Sequence, residues 1–143
     1  MKIGDLRALY ERYLTEAERV EREQKPGQGI FGFGKKPSDD ICHDRFATDL
    51  DTWLGAYYET NPDSKSVREV LTMVYHAPKE HPEPRSAFWM LIAVQGLTKK
   101  LIPLLSPADA AALATDYAET YARRERLPAQ KQLLDAMQKA AKE

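Results

Sequence analysis

Cys42, His43 and Asp44 stand side by side, with Asp39 and Asp40 just upstream, in a chain that has one cysteine and three histidines. Thiolate, imidazole and carboxylate are the groups that bind metal ions and carry nucleophilic catalysis. Their spacing argues against both uses. A zinc site needs three or four converging ligands, in patterns such as C-x2-C or H-x3-H, whereas adjacent residues on a helix diverge. His43 can meet Asp39 one turn back, and Cys42 shares an apolar stripe with Phe46. The pattern therefore reads as a buried structural thiol beside an ion-paired histidine. A helix start favours the thiolate, but Asp39, Asp40 and Asp44 oppose it. Asp39, Cys42 and His43 stay as the alternative reading, a metal or small-ligand site that His76 or His81 could join from a distance. Neither a G-x-S-x-G elbow nor an H-E-x-x-H pair occurs, and no acid–base pair is named by spacing. Enzyme activity and a bound cofactor are not expected.

Gly27-Gln28-Gly29-Ile30-Phe31-Gly32 matches G-x-G-x-x-G, and Gly29 to Lys35 matches a P-loop until Lys36 replaces the final Ser or Thr. Both motifs need a strand leading in and a helix N-terminus facing the phosphate. Here a charged helical segment leads in, Pro37 interrupts the approach, and Asp39 and Asp40 would repel an anion. The missing hydroxyl also removes the magnesium ligand. Nucleotide binding is rejected. A glycine-rich loop loses much freedom on folding, and that loss is tolerated where the loop packs or makes contacts. Phe31 and Phe33 read as hydrophobic anchors for a partner protein, with Lys35 and Lys36 as a polar rim. The competing reading folds both phenylalanines back onto the core.

Helices must position these residues. Ile3, Leu6, Leu9, Tyr10, Tyr13, Leu14, Ala17 and Val20 recur at helical spacing over 3–25, and four-apart opposite charges line the other face. Pro26-Gly27 ends that helix. A second begins at Ser38 as N-cap, buries Cys42, Phe46, Leu50, Trp53, Leu54 and Tyr57, and stops before Asn61-Pro62. Ser66 and Glu69 form a capping box for a third, with Val67, Val70, Leu71, Val74 and Tyr75 inward. Three prolines in 78–84 predict a non-helical connection. Residues 86–102 are apolar on all sides, Trp89 included, and predict a buried central helix with Gly96 at a close crossing. Ser106-Pro107 opens another helix, which buries Ala110, Leu113, Ala114, Tyr117 and Tyr121. After Leu127-Pro128, Leu133, Leu134, Met137 and Ala141 line a last one. Gln95 is a polar group in this apolar setting, so it and the inward tyrosines need partners or line a small pocket.

The length of 143 residues fits one domain, 1–143, and 43% apolar with 30% charged residues is globular composition. A net charge of −1 gives no general pull toward nucleic acid or anionic lipid. Residues 38–63 carry seven acids and one arginine, while 64–105 carry six bases and three acids. Facing each other within the fold explains this asymmetry, and an acidic helix meeting a basic partner is the alternative. The uncharged run Ser86–Thr98 is too short to span a bilayer, and a lone cysteine suits a reducing compartment, so a cytoplasmic location is expected. The reading is an all-α bundle of five to six helices around 86–102, acting as an interaction or accessory module. Its partner is another protein or a second copy of itself.

Overall fold

The computed structural model describes residues 2–23, 37–81, 85–121 and 127–142, with side chains described throughout except at 23, 37–43, 85 and 86. The chain is all-α. Among the described residues it forms α1 (Ile3–Glu23), α2 (Pro37–Glu59), α3 (Ser64–Glu80), α4 (Arg85–Ala93), a 3-10 helix (Val94–Leu104), α5 (Pro107–Thr120) and α6 (Pro128–Lys142). One cluster of apolar side chains, drawn from every helix, makes the core.

The apolar stripe of α1 is buried as its spacing predicts, through Leu6, Tyr10, Tyr13, Ala17 and Val20. Phe46 of α2 wedges into it, stacked on Tyr13 at 4.2 Å and edge-on to Tyr10 at 5.2 Å between ring centroids. The charged face is partly rearranged. Glu18 and Arg22 pair at 3.8 Å, but Arg12 reaches Asp49 of α2 at 3.4 Å, and Glu16 takes Arg19. Helix α2 starts at Pro37, one residue ahead of the expected N-cap Ser38. It ends at Glu59, and Asn61 turns the chain with φ 53°, a left-handed conformation that asparagine tolerates.

The cap of α3 sits one turn earlier than the Ser66/Glu69 box. Asp63 is the N-cap, its carboxylate accepting the Ser66 N–H at 2.8 Å, and Ser66 Oγ bonds the Tyr57 hydroxyl instead. Asp63 adds a negative charge at the positive end of the helix, which serine does not. The expected break at Pro78 is also corrected, because α3 runs through Pro78 to Glu80. Pro78 gives up the N–H that would have reached the Val74 carbonyl and crowds that carbonyl, and the helix ends within one turn of it. Pro78 is itself buried, and the His81 N–H closes the helix on the Ala77 carbonyl at 3.0 Å.

The central element differs most from expectation. Instead of one helix over 86–102, α4 gives way to a 3-10 helix at Val94. In a 3-10 helix positions three apart lie in line, so residues at that spacing share one side over a few turns. Ala93, Gly96 and Lys99 make such an exposed row, which passes on to Lys100 and Pro103, while Val94, Gln95, Thr98, Leu101 and Ile102 face inward. Trp89 is 60% exposed, not a core residue. Nothing lies within 4 Å of a Cβ built on Gly96, so no close crossing occurs there among the described residues. The helical run Ala87–Leu104, Lys99 and Lys100 included, is long and apolar enough to cross a membrane, contrary to the shorter estimate from Ser86–Thr98.

Ser106 caps α5 as expected, accepting the Asp109 N–H at 3.2 Å, with Pro107 in the first turn. Its alanine face brings α5 close against α6, which buries Leu133, Leu134 and Met137. The acidic and basic segments do meet, through Lys100 and Asp51 at 3.7 Å.

Candidate functional site

Gln95, fully buried at 0% exposure, is the hub of a polar network at the centre of the bundle. Its Oε1 accepts from the Tyr117 hydroxyl at 2.7 Å and from Gln130 Nε2 at 3.2 Å, while its Nε2 donates to the Tyr121 hydroxyl at 2.9 Å. The Tyr121 hydroxyl in turn donates to the Tyr75 carbonyl at 2.5 Å. The Tyr75 hydroxyl donates to Thr98 Oγ1 at 2.6 Å, and Thr98 donates to the Gln95 carbonyl at 2.7 Å. Burial raises the Tyr75 phenol well above its ordinary range, so it stays a donor. These groups satisfy one another and tie α3, the 3-10 helix, α5 and α6 together. They form a structural lock, and the expected small pocket around Gln95 is filled by the tyrosines themselves.

Concavity appears elsewhere. Helix α1 rests on α2 and α4, whereas α3 rests on α4, α5 and the 3-10 helix. Between α1 and α3 lies an open cleft of about 880 Å³. Ile3, Leu14, Met73 and Ala77 supply its apolar surface, and Arg7, Glu11, Lys65 and Glu80 give its rim both signs of charge. Tyr10 belongs to the wall, with its hydroxyl buried and unpartnered among the described residues. Burial holds that phenol protonated, far above its usual range.

Two polar clamps brace α3 against α5 along the cleft. At one end Asp109 accepts from Ser64 and from Arg68 Nη1 (3.1 Å), and Ser64 Oγ accepts the Ser106 N–H at 2.7 Å. At the other, His76 Nε2 donates to Asp116 Oδ2 at 2.6 Å. The Ser64 hydrogen bond first, and then Arg68, hold the Asp109 carboxyl below the usual carboxylate range. A depressed carboxylate stabilises the fold above its unfolded pKa, and that contribution is lost as pH falls through the folded value. Melting temperature should therefore fall on acidification below about pH 4. In Asp109→Asn that part of the acid sensitivity should be missing, and an unchanged profile in a thermal scan would contradict the clamp.

The residues singled out by sequence fall mostly elsewhere. Phe31, Phe33, Lys35 and Lys36 lie outside the described residues, as do Gly27 to Gly34. Asp39, Cys42 and His43 lie on the first turns of α2, with side chains outside the described set. His76 and His81 both reach the cleft, and Asp116 already holds His76. Among the described residues no three His, Cys, Asp or Glu side chains gather to hold a metal ion. Spacing had not pointed to Thr98, Asp109, Asp116 or Gln130. Gln130 did carry a signal, because a glutamine two residues after Pro128 can reach back to cap the helix, and its Oε1 accepts the Leu127 N–H at 2.9 Å. No protein-family model matches the chain, and no curated protein or solved structure shows significant similarity to it.

Proposed function

We propose that this protein is a non-enzymatic interaction module that seats an amphipathic helical segment of a partner protein in the α1/α3 cleft. The observation that carries this reading is the cleft itself, a trough between two helices in which Ile3, Leu14, Met73 and Ala77 lie among polar residues and charges of both signs. Helix-in-groove recognition uses such a surface, with apolar anchors below and charged flanks setting register. Arg7 and Lys65 would face acids of the partner, and Glu11 and Glu80 its bases. Phe31, Phe33, Lys35 and Lys36 remain in the proposal as a second anchoring segment, on sequence grounds alone. A cytoplasmic setting accords with the single cysteine.

The test is selection of displayed amphipathic helical peptides on the full-length chain, followed by titration of a selected peptide observed by amide NMR. Shifts should concentrate between Ile3 and Leu14 and between Lys65 and His81. Met73→Glu, at a half-buried position on the cleft, should weaken binding at least about tenfold while the fold melts cooperatively. Peptides that bind the variant equally well would overturn the cleft reading, and shifts confined to Phe31–Lys36 would move the contact to that loop.

A further inference from the structure

The central element presents a second surface that the cleft does not use. Trp89 is the most exposed large apolar side chain described, at 60%, with Phe88 packed edge-on behind it at 5.3 Å. Ala93, Gly96 and Lys99 continue the same outer row, and Lys100 stands beside it. No charged residue occurs between Arg85 and Lys99. The row is thus ordered as a large aromatic knob, two small residues and a pair of cations.

We infer that this face is a contact between two copies of the chain, related by a two-fold axis passing between Ala93 and Gly96. An isologous interface must carry its own complement. With the axis there, the small residues of the two copies meet at the centre and let the backbones approach closely. Each Trp89 then lies opposite the Lys99–Lys100 end of the second copy, where a cation can sit over the indole face. Lys100 remains accessible for this, since its pairing with Asp51 is an exposed one at 3.7 Å. The same Asp51 argues against an anionic bilayer as the occupant, because it places a carboxylate beside the cations. Among the described residues the space over Gly96 is open, as a close approach from outside requires.

Sedimentation velocity on the full chain, from low-micromolar to sub-millimolar concentration, tests this. A reversible monomer–dimer equilibrium is expected, with Trp emission shifting to the blue as the dimer forms. Trp89→Ala should weaken the dimer at least about tenfold, as a central aromatic anchor does. Gly96→Leu, which fills the point of closest approach, should do the same, and both monomers should keep their helical circular dichroism. A monomer at every concentration would overturn the inference, as would a dimer indifferent to both substitutions. Cosedimentation of the monomer with phosphatidylserine-containing vesicles through Trp89 would overturn it in favour of a lipid surface.

Discussion

Replacing Gln95 by leucine is expected to destabilise the protein by about 3–5 kcal/mol, a large share of the roughly 5–15 kcal/mol that holds a domain folded. Leucine fits a buried helical position and adds apolar surface, so shape alone would make the change mild. The loss comes from what remains behind. The Tyr117 hydroxyl and Gln130 Nε2 lose their acceptor, and Tyr121 loses its donor, all at the centre of the bundle. A buried polar group left unmet costs about 1–3 kcal/mol. Because Gln130 also caps α6 through the Leu127 N–H, the effect should reach the packing of α6. Urea denaturation followed by circular dichroism measures it. A loss under 1 kcal/mol would mean that water reaches these groups and the lock is not closed.

Leu91→Ala should cost about 2–5 kcal/mol, the range for truncating a fully buried leucine in a packed core. Gly96→Ala, five residues further along, should instead raise the stability of the monomer by about 0.4–1 kcal/mol, by restricting the unfolded chain without meeting any neighbour among the described residues of its own chain. Opposite signs within one short stretch follow from an element buried on one side only. Equal destabilisation at both positions would restore the expectation of a helix buried all round, and would also remove the open face on which the two copies are inferred to meet.

The helix stripes were legible because an apolar residue every three or four positions has only one way to reach a core. Leu6, Tyr10 and Tyr13, Phe46 to Tyr57, Val67 to Tyr75, and Leu113 with Tyr117 all lie where that period puts them. The Ser106-Pro107 start was legible for a local reason, a side-chain acceptor followed by a residue that needs no hydrogen bond. Residues 86–102 hid their orientation because an unbroken apolar run has no polar face to mark the outside. Trp89 and Leu91 look alike by composition, and only the neighbouring helices decide which is covered. The change to 3-10 geometry at Val94 shifts the period from 3.6 to 3, which no local residue announces. The cleft was illegible for a related reason. Arg7, Glu11, Lys65 and Glu80 read as ordinary solvated charges on two helices, and the trough opens because α1 and α3 share α4 but otherwise rest on different elements, α1 on α2 and α3 on α5 and the 3-10 helix. Gln95 did announce itself as a polar residue among apolar ones, but not that four side chains from three other helices would meet it or its neighbour Thr98.

Hydrogen exchange at the Gln95 side-chain amide, observed by NMR in the free protein, bears most directly on a bundle whose middle is sealed and whose contacts lie outside. Its protons should exchange only as slowly as the most protected backbone amides of α3 and α5, through global unfolding. Exchange within minutes, at the pace of exposed glutamines, would show solvent at the hub and return the interior to consideration as a ligand site.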